Sequence, residues 1–226
     1  MPPLPSLFIL ALPRSLSTLV HSAATEALGF AAPRWTSAGE ILNGDRVVLS
    51  TSEVEAIHPK FTPPEQGFVL EQLAAFLDDV VRPNGYGYKD VVQPFAVAAW
   101  LRDRPLRVLR IERPLADVAF SMHRAGWFYP QVAAPQGAEP LDRFLLGLLR
   151  AHAALATVPA AVLSAEELIQ DSAALTRALA ALYPELAVPA IAIHDEGFRL
   201  RRELLLKDRE TPSYRALATR LRALGG

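Results

Sequence analysis

The feature that most constrains this chain is its beginning. Residues Leu7-Phe8-Ile9-Leu10-Ala11-Leu12 are apolar without a break, and a polar turn, Pro13-Arg14-Ser15-Leu16-Ser17-Thr18, follows at once. Apolar residues then recur at 16, 19, 20, 23, 24, 27 and 28. A short apolar run with no alternation reads as a strand buried on both faces, as in the middle of a parallel sheet. The spacing after it is that of one helix face, and Gly29 is placed to end that helix.

The rest of the chain repeats the pattern. Pro64-Glu65 opens a predicted helix to about Val81, and Pro83-Asn84-Gly85 is a turn. Gly87-Tyr88-Lys89-Asp90 ends a short strand, 91–101 is helical, and Leu106–Glu112 is a strand. Pro114 begins a helix that passes Ser121 toward Arg124, and 126–140 is a long loop carrying Trp127, Phe128 and Tyr129. A helix over 141–156, a strand over 160–164, one or two helices over 166–182 and a charged, partly helical tail complete the reading. Strands alternating with helices predict a single three-layer α/β domain, 1–226, with a mainly parallel sheet and right-handed crossovers.

Composition removes whole classes of function. The net charge of -1 argues against a general nucleic-acid or anionic-membrane binder, which draws its affinity from an excess of Lys and Arg. The absence of cysteine excludes disulfides, thiolate nucleophiles and thiolate-held metals. The five histidines are scattered, so no metal site is expected. No stretch reaches the roughly 18 apolar residues of a membrane span, and Leu7–Leu12 is too short for a signal-peptide core. A cytoplasmic protein is the expectation.

Parallel α/β sheets bind ligands beyond the carboxyl ends of their strands. The turn at 13–18 sits at such an end and feeds a helix, whose first amides and dipole favour an anion. Arg14 adds a permanently charged planar fork, and Ser15, Ser17 and Thr18 add hydroxyls. The pattern G-x-x-x-x-G-K-[ST] is absent, so Mg·ATP chemistry loses support. The plainer alternative is that the hydroxyls only cap the helix.

A second group follows the LRVLRIE strand. Arg113 stands at its end, and Ser121 lies eight residues on, about two helical turns away. Together they can grip one phosphate. Taken singly, Arg113 reads as a surface ion pair and Ser121 as a neutral helix residue.

These segments together resemble the sulfotransferases that use 3′-phosphoadenosine 5′-phosphosulfate (PAPS). Leu12-Pro13-Arg14-Ser15-Leu16-Ser17-Thr18-Leu19 looks like that family's phosphosulfate loop, P-[KR]-[ST]-G-[ST]-[ST]. Ile111 to Ser121 (IERPLADVAFS) looks like its 3′-phosphate motif, R-[DN]-P-x-[DE]-[VA]-x-x-S, one residue short before the proline. Lys89-Asp90, 24 residues before Arg113, resembles the family's lysine segment, and Val162–Leu168 (VLSAEEL) resembles its later Y-E-[DE]-L stretch.

The resemblance implies a P-loop-like fold and metal-free, in-line transfer of a sulfuryl group to a hydroxyl or amine acceptor. It implies that Arg14, Ser15, Leu16, Ser17 and Thr18 hold the 5′-phosphosulfate, and that Arg113 and Ser121 hold the 3′-phosphate. Lys89 would be a second cation beside the transferring group. Glu40, after Gly39, would be the general base, in the place where many bacterial, tyrosylprotein and glycolipid relatives use a glutamate. Glu53, Glu55, His58 and His123 are the competing bases.

The chain also departs from the family. Leu16 stands where glycine is usual, Val91 where the cytosolic enzymes carry histidine, and their C-terminal R-K-G triplet is absent, with Arg199, Arg201 and Arg202 as substitutes. Leu16 and Val91 favour a non-catalytic nucleotide-binding protein as the alternative, with a P-loop-like kinase behind it. The Trp127-Phe128-Tyr129 cluster is either an acceptor wall or a buried loop anchor. Lys207-x-x-x-Thr211 partly resembles a dimer motif that Pro212 and Ala216 break, which leaves the oligomeric state open, and the acceptor is open too.

Overall fold

A computed structural model describes residues 3–33, 40–42, 60–129, 137–171, 173–193, 198, 203 and 206–225. Thr36 to Gly39, Glu53, Glu55, His58, Arg199, Arg201 and Arg202 lie outside these described residues.

The centre is a four-stranded sheet in the order β2-β1-β3-β4, comprising β1 Leu7–Ala11, β2 Gly87–Asp90, β3 Arg107–Glu112 and β4 Ala161–Ser164. Every pairing is parallel, with Ile9 in register with Lys89 on one side and Leu109 on the other. Strand β1 is central, and all five of its residues are buried. That is why it carries no polar alternation: both faces meet helices. The expected α/β architecture, a parallel sheet with helices on both sides, is the one observed.

Among the described residues the helices are α1 Ser17–Leu28, α2 Gly67–Val80, α3 Pro94–Leu101, α4 Leu115–Arg124, α5 Pro140–Ala156, α6 Ala165–Gln170, α7 Ala174–Leu182 and, after helical residues 206–210, α8 Pro212–Gly225. Helices α1 and α7 pack on the strands and on each other, while α5 touches α3, α4 and α8. Helix α3 starts later than the apolar pattern of 91–101 predicts. The reason is local: the Asp90 carboxylate accepts hydrogen bonds from the amides of Val92 (2.9 Å) and Gln93 (2.8 Å), which holds them in a turn until Pro94 opens the helix. Likewise Pro114 is the cap before α4 and not its first residue, with extended backbone at ψ 125°.

Helix α1 lies unusually close to β2. A Cβ placed on Gly87 would sit 1.9 Å from Cγ2 of Thr25, so only glycine permits this approach. The contact carries polar linkage as well, because His21 Nε2 lies 3.0 Å from the Gly87 carbonyl and Thr25 Oγ1 donates to the His21 carbonyl at 2.7 Å. The parallel register, in turn, puts the carboxyl ends of β1, β2 and β3 at the one edge of the sheet from which the chain enters α1.

Candidate functional site

The loop between β1 and α1 follows a strained path. Arg14 and Leu16 both have left-handed backbone, at φ 64° and φ 63°. Leu16 is the residue before α1, and no side chain caps the first turn. The resemblance put glycine at this position, and the conformation is one that glycine adopts freely. Leucine accepts it at a cost of about 1 kcal/mol or more, offset where its half-buried side chain packs on the core. The plainer alternative, that these hydroxyls cap the helix, is not what Ser15 and Thr18 do: among the described residues Ser15 Oγ is buried without a hydrogen-bond partner, and Thr18 Oγ1 accepts from Lys89.

The two arginines meet. An Nη of Arg113, at the end of β3, donates to the Arg14 carbonyl, and Nε of Arg14 donates to Ser121 Oγ at 3.0 Å. They share one cleft of about 700 Å³, lined also by residues 15–18, Glu40 and Val91. Burial pushes the Arg113 guanidinium below the usual arginine range and Asp117 pulls it back, so it stays cationic.

Glu40 enters the site by strand-like pairing. It bridges Lys89 in parallel, and the next amide, that of Ile41, donates to the Lys89 carbonyl at 2.9 Å. Asp90 completes the attachment by accepting from the Leu42 amide at 2.9 Å. The Lys89 ammonium is wholly buried and donates to Glu40 Oε1 at 3.0 Å and to Thr18 Oγ1 at 2.8 Å. Lys89 therefore stands behind Glu40 and does not line the cleft, unlike the other expected site residues. Burial lowers its pKa, and Glu40 opposes that shift. His123, the one competing base among the described residues, is exposed, edge-on to Phe128, and does not line the cleft.

The aromatic cluster divides. Trp127 lines the cleft and stacks on Tyr129 with ring centroids 6.1 Å apart, and Tyr129 rests on Phe61 at 5.2 Å. Phe128 turns to Phe144 of α5. Burial, reinforced by the nearby Glu40, pushes the Tyr129 phenol up to about 12.

The sequence reading missed a supporting layer. Asp117, buried on α4, accepts two hydrogen bonds from Arg209 (3.1 and 2.6 Å) and one from the Tyr214 hydroxyl (2.7 Å), while Arg113 lies 3.8 Å away. Arg209 also donates to Glu166 at 2.6 Å, in the segment that carries the later family resemblance. The Asp117 hydrogen bonds raise the Arg209 pKa above the ordinary arginine value. Arg124 and Asp208 form an ion pair on the cleft wall. No spacing in the sequence links Asp117 to a partner 92 residues away.

Among the described residues no group of three or more histidine, aspartate or glutamate side chains can hold a metal, and no helix is long and apolar enough to cross a membrane. Comparison with known proteins finds no matching family model and no matching curated protein. The chain is similar to a solved structure, the crystal structure of a sulfotransferase from Alicyclobacillus acidocaldarius. The two share 15% identity over 98% of this chain and 95% of the other, with a TM-score of 0.45. The α/β assignment rests on the strand pairing itself.

Proposed function

We propose that this protein is a PAPS-dependent sulfotransferase. The reading rests on one observation above the rest: Arg14, Arg113 and Ser121 converge on a single cleft beyond the carboxyl ends of β1 and β3. The 3′- and 5′-phosphates of such a donor hang from one ribose, so the groups that hold them must be neighbours. The loop fits the donor in a second way. Among the described residues Ser15 Oγ is a buried hydroxyl without a partner, and no side chain caps the first-turn amides of α1.

The donor, when bound, supplies an activated sulfuryl group on a phosphate leaving group. Arg14 and the 15–18 amides hold the 5′-phosphate and neutralise the charge that grows there as the bond to sulfur breaks. Arg113 and Ser121 hold the 3′-phosphate and set the register of the donor in the cleft. Glu40 takes the proton of the acceptor hydroxyl. Lys89, buried behind it, orients that carboxylate and Thr18 together.

The test has two stages. Adenosine 3′,5′-bisphosphate without magnesium is expected to raise the melting temperature, and Arg14→Ala and Arg113→Ala to abolish the shift. Stabilisation that requires Mg·ATP would point to a kinase instead. A transfer assay with labelled donor across a panel of phenols, alcohols, sugars and amines then separates an enzyme from a non-catalytic binder. Leu16 and Val91, which line the cleft in the places of a glycine and a histidine, are the features that favour the binder.

A further inference from the structure

Three contacts fix Arg14, and all three come from one continuous unit, residues 113–127. Arg113 donates to its carbonyl, Ser121 Oγ accepts from its Nε, and the Trp127 ring faces its guanidinium carbon with the centroid 5.5 Å away. The unit is stiff where it matters. Helix α4 ends in a left-handed Gly126 (φ 70°), whose amide donates to His123 O at 3.0 Å while the Trp127 amide donates to Met122 O at 2.9 Å. This double closure satisfies the last carbonyls of the helix and sets the direction of the residue that follows. The Trp127 backbone is thus fixed relative to Ser121 by hydrogen bonds, and stacking on Tyr129 holds its ring.

An indole over a guanidinium is attractive because the negative ring face meets the spread positive charge. The ring takes one face of Arg14 and Ser121 takes the Nε edge. Among the described residues, the two terminal nitrogens of Arg14 have no hydrogen-bond partner. A planar fork held by its face and by one edge offers the remaining edge in a set direction. Trp127 remains 38% exposed, with its ring beside the cleft.

We infer that Trp127 is a positioning residue for Arg14, holding the guanidinium so that its two terminal nitrogens face the 5′-phosphate side of the cleft. The inference rests on the proposed function for the identity of the anion, but not for the contact itself.

The first readout needs no ligand. In the full-length protein labelled with 15N-arginine, the Arg14 Nε–Hε signal, identified by its loss in Arg14→Lys, is expected to be shifted by the indole ring. Trp127→Leu is expected to remove that shift and Trp127→Phe to keep part of it. The second readout is calorimetric affinity for adenosine 3′,5′-bisphosphate, expected to weaken about two- to thirty-fold in Trp127→Leu. Mono- to tetrafluorinated tryptophan at 127 is expected to weaken binding stepwise, because fluorine withdraws the negative ring face while nearly preserving shape. An unmoved Arg14 signal in Trp127→Leu overturns the inference, and so does affinity indifferent to fluorination. If the unaltered protein binds no bisphosphate, the proposed function falls, and the Arg14 signal alone decides the positioning role.

Discussion

Lys89 and Glu40 are paired twice over: their backbones form a parallel bridge, and their side chains close an ion pair of 3.0 Å. The backbone pairing brings the carboxylate within reach of the lysine. An ammonium this deeply buried is costly unless its donors are satisfied, and Glu40 and Thr18 both accept from it.

The pair is expected to respond unequally to its two neutralising changes. Glu40→Gln keeps an acceptor for Lys89, so it should fold and bind nucleotide while turnover drops by about 100-fold or more. Lys89→Met breaks a buried ion pair and removes the donor to Thr18, at a cost of about 3 kcal/mol or more. Urea unfolding of both variants beside a transfer assay checks this. Full turnover in Glu40→Gln would move the base elsewhere.

Leu16 offers a test of backbone strain. Its left-handed conformation suits glycine, is tolerated by leucine and is worst for a β-branched residue. Leu16→Gly should stay within about 1 kcal/mol of the parent, since relief of strain offsets lost packing. Leu16→Val should be less stable than Leu16→Gly by about 1 kcal/mol or more. Equal melting curves for the two would show that the loop does not hold this path.

Gly87→Ala should destabilise by about 2 kcal/mol, because the new methyl overlaps Thr25 Cγ2. Thr25→Ser removes that methyl and keeps the hydroxyl that bonds the His21 carbonyl. The double variant should therefore recover at least half of the loss. A double-mutant cycle in chemical denaturation measures the coupling, and strict additivity would refute the clash.

Acid should loosen the α1–β2 contact. Burial lowers the His21 pKa from its ordinary 6.5, although the Gly87 carbonyl partly opposes this. The neutral ring donates through Nε2 to that carbonyl. Because the folded pKa lies below the unfolded one, the stabilisation is full above pH 6.5 and is lost as pH falls through the folded value. Asp90 has the opposite sign. Burial raises its pKa from 3.8 to about 6 against three amide donors, so its contribution is full below 3.8 and fades as pH rises through 6. The net curve mixes the two, and the informative quantity is the difference between parent and His21→Gln. That difference should shrink between pH 7 and 5, and a constant difference would exclude His21 as the source.

Much of this was legible one segment at a time. The unbroken apolar run at Leu7–Ala11 identified the central strand because burial on both faces leaves no room for polar alternation. The step from Arg113 to Ser121 was readable in outline because most of it lies in α4, where the helical repeat sets the spacing. Glu40 was harder, since it joins the site by pairing with Lys89, 49 residues away, after a stretch without periodicity. The boundary of α3 was misread because the Asp90 carboxylate, and not the apolar pattern, decides where that helix begins.

By itself, the order of residues determined the strands, the helices and which of their ends carry cations and hydroxyls, because those depend on neighbours along the chain. Only the tertiary structure decided that Lys89 faces Glu40 and not the cleft, that Trp127 covers Arg14, and that Asp117 holds Arg209 and lies beside Arg113. Those pairings join residues far apart in sequence. They form because a buried charge must find an opposite charge or a hydrogen bond among whatever the fold brings within reach, and that supply is set by how the helices pack on the sheet.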